Sequence, residues 1–318
     1  MTPKQRFISA LKLQPVTGLV PAFELVFFLT MEAFGKLHPS HRHFHQWSQM
    51  SQKERDLHLV DIADTYIKTA ELYGHDGIFV HGAPSEQDWP RLLELIRERA
   101  WTDYFLVAHG DPTFSVPDGN GMMEFTEMMY ENPEELHRRA KASVEHCIRS
   151  AERLAGKGLL DGYALCSDYC FNANPFFSPS QFSEFVTPYL EQIIREYRNM
   201  GFYSIKHTDG NMMPIVDQII DCKPDALHSL DPQGGVDLKY MKERYGKTMC
   251  LIGNVNCGLL DTGTDEEVRA DVLRALRDGM PGGGFIFGTS NCVYTGMPLE
   301  RYEMMMELRR EFGNYDNI

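Results

Sequence analysis

Eight short apolar segments alternate with helical segments along the chain, and this alternation constrains the fold more than any other feature. The strand-like segments are residues 20–28, 77–82, 103–110, 162–168, 202–207, 226–231, 248–253 and 284–288. No Pro-, Gly- or Ser-rich linker interrupts the series. This order predicts parallel strands joined by crossover helices, and a count of eight favours a closed (β/α)8 barrel of the TIM type. We therefore expect one α/β domain over residues 1–318.

Capping residues mark two helix starts. Thr2 followed by Pro3 is typical of an N-cap and first helical residue, and it predicts a short N-terminal helix over residues 2–13. Ser51 and Glu54 have the spacing of a capping box, which predicts the start of a long helix.

The chain is acidic, with 45 Asp and Glu residues against 31 Lys and Arg residues and a formal net charge of −14 at pH 7. Such a surface repels nucleic acids and anionic membranes on average, so neither is an expected partner. No segment approaches the roughly 18–20 apolar residues that span a bilayer, and the first residues lack the apolar core of a signal peptide. We therefore expect a soluble, cytoplasmic protein.

The seven cysteines are odd in number and widely spread, which argues against a disulfide framework. Reduced thiols are therefore available for metal binding or catalysis. No Gly-x-Gly-x-x-Gly pattern follows a strand-like segment, and this argues against a dinucleotide-binding fold.

Polar side chains lie at the ends of most strand-like segments. They are Glu24, His81, His109, Asp168, His207, Asp231, Asn254 and Cys292. The C-terminal strand ends of a (β/α)8 barrel form one face, and the active site lies on that face. The sequence therefore predicts one active site there.

The fifth strand-like segment carries two of the expected site residues. Side chains alternate along a strand, so His207 and Asp209 point the same way, and Gly210 ends the strand. Thiols follow two later segments, at Cys257 and Cys292. If these strands are neighbours, nitrogen, oxygen and sulfur donors converge, and such a set suits zinc.

Several segments together carry a resemblance to a known family. They are His207-Thr-Asp-Gly-Asn211, residues 177–190 after an aromatic loop, Leu251-Ile-Gly-Asn-Val-Asn-Cys257, Gly282-Gly-Gly-Phe-Ile-Phe-Gly288 and Met297-Pro-Leu-Glu-Arg-Tyr302. Through them the chain resembles the uroporphyrinogen decarboxylase superfamily over essentially its whole length. One such segment alone would be a weak signal, and the set is specific.

The superfamily contains decarboxylases and zinc-dependent methyltransferases that exchange a methyl group with a corrinoid cobalt. The decarboxylases carry arginines and an aspartate just after the first strand, whereas residues 23–31 contain neither. The methyltransferases carry His-x-Cys on the fifth strand and a Cys after the eighth. His207 and Cys292 match this pattern, and Asp209 replaces the first Cys. The resemblance implies His207 and Cys292 as zinc ligands.

The replaced cysteine leaves alternatives for the remaining ligand. Cys257 or Glu24 could supply the donor, and Asp209 is either a ligand or the acceptor that orients His207. Glu24 is a lone carboxylate in an apolar segment, so it is a ligand, a general acid or the partner of a cation. Asp168 either acts on the substrate or caps the loop that follows it. We expect catalytic roles for Glu24, Asp168 and Asp209.

Five side chains are expected to contact the substrate. Phe27, Tyr169 and Phe171 would form an aromatic pocket, with loop packing as the alternative explanation. His81 and His109 would contact the substrate as acid groups.

The resemblance implies a zinc-dependent methyltransferase that moves a methyl group from a small methoxylated or N-methylated compound to cobalt. The chain has no Asp-x-His-x-x-Gly motif, so the corrinoid (cobalamin) is expected on a separate partner protein. The alternatives are a methylcorrinoid-to-thiol or tetrahydrofolate methyltransferase, a uroporphyrinogen decarboxylase-like enzyme, and a non-catalytic corrinoid- or ligand-binding barrel. The sequence leaves the oligomeric state open, and a homodimer is compatible with it.

Overall fold

The computed structural model describes residues 1–317. Its centre is a parallel sheet of seven strands whose spatial order equals their order in the chain. The strands are β1 (Gly77–Val80), β2 (Phe105–His109), β3 (Gly162–Leu165), β4 (Tyr203–His207), β5 (Ala226–His228), β6 (Cys250–Val255) and β7 (Phe285–Thr289). This is a TIM-like α/β arrangement.

Thirteen α-helices connect and surround the strands in the described part of the chain. They are α1 (Pro3–Leu11), α2 (Thr30–Phe34), α3 (Gln52–Tyr73), α4 (Trp89–Arg99), α5 (Met122–Glu131), α6 (Pro133–Glu152), α7 (Pro179–Phe185), α8 (Thr187–Asn199), α9 (Val216–Asp221), α10 (Leu238–Tyr245), α11 (Cys257–Thr262), α12 (Asp265–Gly279) and α13 (Leu299–Phe312). Capping boxes at Thr2 and Ser51 start α1 and α3, which confirms both predicted starts. No helix within residues 1–317 is both long and apolar enough to cross a membrane.

The expected first strand, residues 20–28, is not a regular strand, so the sheet contains seven of the eight predicted strands. Isolated parallel bridges join Ala22 to Phe287 and Phe27 to Val293. The segment also contacts the opposite edge of the sheet, where the Ala22 N–H donates to the Asp76 carboxylate at 2.9 Å. The Ala22 carbonyl accepts the Asp76 N–H at 2.8 Å, so the segment is bonded to both edges of the sheet without forming a regular strand.

The inner face of the sheet is filled by apolar side chains. Phe79 packs inside, whereas its neighbours Ile78 and Val80 pack in the outer layer against helices. Helix α1 covers the N-terminal end of this interior, and its Phe7 ring stacks on Phe105 with centroids 4.4 Å apart. A Cβ at Gly77 would lie 2.9 Å from the Phe7 ring, so a glycine at this position makes room for α1. The C-terminal strand ends form the opposite end, which is free of α1.

Candidate functional site at the strand ends

Histidines continue the inward-facing rows at the C-terminal ends of four strands. They are His81 after Phe79, His109 after Val107, His207 after Ile205 and His228 after Ala226. Each histidine lies two positions after a residue that packs on the inner face of the sheet. Because side chains alternate between the two faces of a strand, all four rings are directed toward the same space.

One group of potential metal ligands forms at this end. Among residues 1–317, the ligand atoms of Asp168, His207 and Asp209 are the only such set of three or more that lie within 4.8 Å of one another. The His207 Nε2 atom is 3.5 Å from the Asp168 Oδ1 atom and 3.6 Å from the Asp209 Oδ1 atom. The predicted pair His207 and Asp209 therefore lies together, and Asp168 joins it from β3.

The electrostatics of this group favour a cation. Burial, together with the neighbouring charge of Asp168, raises the pKa of Asp209 to about 7. Burial also lowers the pKa of His207 to about 3, so its imidazole is neutral at pH 7. The Asp209 Oδ1 atom is buried without a hydrogen-bond partner. A neutral imidazole beside two carboxylates, one with an unpartnered oxygen, has the donors that a divalent cation requires.

Neighbouring side chains hold this group in place. The His228 Nδ1 atom lies 2.8 Å from the His207 Nδ1 atom, and the Asn291 amide donates to the Asp209 Oδ2 atom. The Asp209 N–H donates to the Asp168 Oδ1 atom at 3.0 Å. Because His228 bonds Nδ1 of His207, the Nε2 atom of His207 is the one presented to the carboxylates.

A buried ion pair fixes the loop that carries Asp168. The Lys206 ammonium donates to the Asp111 carboxylate at 2.9 Å and to the Ser167 carbonyl at 2.9 Å. The same Asp111 carboxylate accepts the Ser167 N–H at 2.8 Å. The Lys206 Nζ atom also lies 4.0 Å from the centre of the Tyr169 ring. Both backbone polar groups of Ser167 are thus held, which sets the position of Asp168.

The two predicted thiol ligands lie outside the three-residue group. The Cys257 Sγ atom donates to the Cys292 carbonyl at 3.5 Å, and burial raises the pKa of its thiol to about 12. Burial also raises the pKa of the Cys292 thiol, and the charges of Asp209 and Asp168 contribute to that rise. Neither thiol joins the three ligand atoms, and the Cys257 thiol is turned toward the backbone of residue 292.

Glu24 is separated from the group as well. Its Oε2 atom accepts hydrogen bonds from the N–H and hydroxyl of Thr289, and the Tyr302 hydroxyl lies 3.3 Å from its Oε1 atom. Burial raises the pKa of Glu24 to about 8. The carboxyl therefore lies between the segment 20–28 and helix α13, with its polar atoms already paired.

The residues predicted to bind substrate are divided. His81 and His109 lie together, with the His81 Nδ1 atom 3.0 Å from the His109 Nε2 atom. Phe171 is 44% exposed beyond β3. Tyr169 is buried beneath the loop, and Phe27 packs against the rings of Tyr73 and Tyr302. His109 and Phe171 are exposed near the strand ends and His81 is half-buried, whereas Tyr169 and Phe27 are packing residues here.

Four supporting residues were missed by the sequence reasoning: His228, Asn291, Lys206 and Asp111. Strand alternation could have found His228, because it pairs in register with His207 across β4 and β5. The Lys206–Asp111 pair joins positions 95 apart in the chain, and no local pattern marks it.

The family model described as Uroporphyrinogen decarboxylase (URO-D) matches residues 115–312. A solved structure of a methyltransferase from Methanosarcina mazei is similar over 98% of this chain and 99% of its own, with a TM-score of 0.75 and 19% sequence identity. A sugar phosphate isomerase/epimerase from Parabacteroides distasonis covers 80% of this chain and 91% of its own, with a TM-score of 0.48 and 10% identity. No curated protein matches the chain.

Proposed function

Because the chain belongs to the uroporphyrinogen decarboxylase family, we propose that it is a zinc-dependent methyltransferase of that family. Its substrate would be a small methoxylated or N-methylated compound, and the methyl acceptor would be the cobalt of a separate corrinoid protein. The observation that carries this proposal is the group Asp168, His207 and Asp209 with its unpartnered buried Oδ1 atom. The shared fold with a methyltransferase supports the choice of reaction.

Zinc suits the donors of this group. Catalytic zinc is commonly held by three protein ligands of the imidazole and carboxylate type, with a further position left for substrate. Asp168, His207 and Asp209 would be those ligands, and Cys292 is a further candidate because the family resemblance implies it as a zinc ligand. When bound, zinc would supply Lewis acidity to the oxygen or nitrogen that loses its methyl group.

The residues of the chain have three tasks in this proposal. His228 holds the His207 ring through the Nδ1 atoms, so that the Nε2 lone pair faces the carboxylates. Asn291 holds the Asp209 Oδ2 atom and leaves Oδ1 free. The exposed rings of Phe171 and His109 would contact the substrate beside this group, and His81 would hold His109.

A decarboxylase acting on a polyanionic porphyrinogen is disfavoured by the arrangement of cations. Arg42, which follows the segment 20–28 in the chain, donates to the Asp61 carboxylate, the Thr65 hydroxyl and the Leu37 carbonyl. Its guanidinium is therefore already occupied and has little capacity left for substrate carboxylates.

Metal analysis of His207→Ala tests the proposed centre. We expect about one zinc per chain in the wild type, as for a single mononuclear site, and at least about a tenfold lower occupancy after dialysis of the variant. His146→Ala, on the exposed side of α6, is the matched control and should keep its zinc. Full occupancy in His207→Ala would remove the central ligand from the proposal.

A transfer assay tests the reaction. Zinc-loaded protein mixed with free cob(I)alamin and a panel of methoxylated and N-methylated compounds should convert the cobalamin to its methylated form, which is followed by absorbance. Asp209→Asn should reduce the rate by at least about 100-fold, because a charged donor of the metal is lost. Absence of turnover with the whole panel would contradict the proposed function.

A further inference from the structure

The His81–His109 pair lies beside the proposed metal group and makes none of its contacts. The His81 Nε2 atom is 3.1 Å from the Leu25 carbonyl oxygen, and its Nδ1 atom is 3.0 Å from the His109 Nε2 atom. The His81 ring also stacks on Phe79 with centroids 4.3 Å apart, and its backbone N–H donates to the Tyr66 hydroxyl at 3.1 Å. His81 is therefore held on every side.

These contacts fix which nitrogen carries the proton. A carbonyl oxygen only accepts, so the His81 Nε2 atom must carry a hydrogen and donate to Leu25. In a neutral ring the other nitrogen then has a lone pair, so the His81 Nδ1 atom accepts. Its partner, the His109 Nε2 atom, must donate. The remaining His109 nitrogen, Nδ1, is left with a lone pair.

That lone pair is open at the C-terminal strand ends. His109 is an exposed side chain at the end of β2, and its Nδ1 atom has no hydrogen-bond partner among residues 1–317. His109 follows Val107 in the inward-facing row of β2 as His207 follows Ile205 in that of β4, so both rings are directed toward the same space. The open acceptor thus borders the space in front of the metal group.

We propose that His81 is a positioning residue that locks His109 as a hydrogen-bond acceptor, and that the site therefore selects ligands with an O–H, N–H or S–H donor beside the methylated group. This rests on the proposed function only in placing a methylated substrate in this space. A ligand without a donor leaves the Nδ1 atom unpaired when water is displaced, and such an unpaired acceptor is costly.

The tautomer can be measured on the protein alone. In protein labelled with 15N-histidine, long-range proton–nitrogen correlation should show His109 protonated at Nε2 and unprotonated at Nδ1, with assignment from the signals lost in His109→Asn. In His81→Phe, which keeps a ring over Phe79, His109 should become a mixture of both tautomers. His146→Phe is the control and should leave His109 unchanged. A His109 ring protonated at Nδ1 in the wild type overturns the proposal, whether or not the variants fold.

Phenol and methoxybenzene test the selection, because they share a ring and differ in the donor. Phenol should shift the His109 Nδ1 resonance and bind about 2- to 10-fold more tightly than methoxybenzene, as one net hydrogen bond allows. The difference should disappear in His109→Phe. Equal affinities in the wild type, or no phenol-induced shift at Nδ1, would overturn the selection. Loss of methyl transfer or of zinc would leave the tautomer result standing, so the two proposals fail separately.

Discussion

At the scale of single residues, Glu24 is the most unusual ionisable group of the interior. It is 6% exposed, and burial raises its pKa from an ordinary 4.5 to about 8. The Tyr302 hydroxyl near its Oε1 atom is in turn 2.7 Å from the buried His75 Nε2 atom. Burial lowers the pKa of His75 to about 3, so the chain Glu24, Tyr302 and His75 is uncharged at pH 7. Because the Glu24 carboxyl is neutral, its burial between the segment 20–28 and α13 costs less free energy than burial of a charged carboxylate.

Glu24→Gln should therefore alter the pH dependence of stability. The folded-state pKa lies above the unfolded value, so the folded chain binds more protons between pH 4.5 and about 8. The contribution of Glu24 to the free energy of unfolding is fully present below pH 4.5 and is lost as the pH rises toward 8. The free energy of unfolding of the variant, relative to wild type, should rise by up to about 1.4 kcal/mol per pH unit in that window. Urea denaturation at several pH values measures it.

The matched control for this experiment is Glu307→Gln, an exposed position on α13. The difference in the free energy of unfolding between Glu307→Gln and the wild type should stay constant with pH. Identical slopes for the wild type and Glu24→Gln would mean that Glu24 is ionised in the folded protein at neutral pH.

Single residues also show what the sequence could predict about the site. Alternation along one strand places His207 and Asp209 on one face, and the structure agrees. Cys257 begins a helix instead of extending a strand, so alternation says nothing about where its thiol points. Glu24 was expected at the site, but its segment is irregular, and its carboxyl lies between the sheet and α13.

At the scale of elements, the Lys206–Asp111 ion pair joins β4 to the loops after β2 and β3. Both side chains are buried, with Lys206 0% and Asp111 6% exposed. Lys206→Met should destabilise the protein by about 3–5 kcal/mol, because it leaves the Asp111 charge buried and unpaired. Lys239→Met on the surface of α10 is the control and should change stability by less than about 0.5 kcal/mol.

The double variant Lys206→Met with Asp111→Asn separates charge from packing. It should be more stable than Lys206→Met alone, because the unpaired charge is removed. Urea denaturation of Lys206→Met, Asp111→Asn and the double variant gives the interaction free energy between the two side chains. If Lys206→Met were as stable as the wild type, the ion pair would contribute nothing to the stability of the protein.

Element boundaries were predicted best where local chemistry decides them. The capping boxes at Thr2 and Ser51 start helices as expected. The spacing of apolar residues over 180–199 predicts one helix, but the structure has α7 and α8, separated at Val186. Pro188 lies in the first turn of α8 and has no N–H to continue a helix from α7, a signal that the periodicity of the apolar residues concealed. The irregular first segment depends on a distant carboxylate, which no local pattern contains.

At the scale of the whole molecule, Asp76 joins both ends of the chain. Its Oδ1 atom pairs with the Arg6 guanidinium of α1 at 2.7 Å, and its Oδ2 atom accepts the Ala22 N–H. The guanidinium of Arg309 in α13 lies 3.4 Å from the same Oδ2 atom and donates to the Val20 carbonyl. Asp76 is therefore the point at which α1, the segment 20–28 and α13 are held to the edge of β1.

Asp76→Asn should weaken this junction without altering the strand-end site directly. Arg309 is 2% exposed, and loss of its carboxylate leaves a buried charge uncompensated, for which we expect about 3–5 kcal/mol of destabilisation. Hydrogen exchange should accelerate at the Phe23 and Phe287 amides, which bond the segment 20–28 to β7. Asp221→Asn, exposed on α9, is the control. Unchanged exchange at both amides, with the global stability also unchanged, would show that the segment is held by its apolar contacts and not by Asp76.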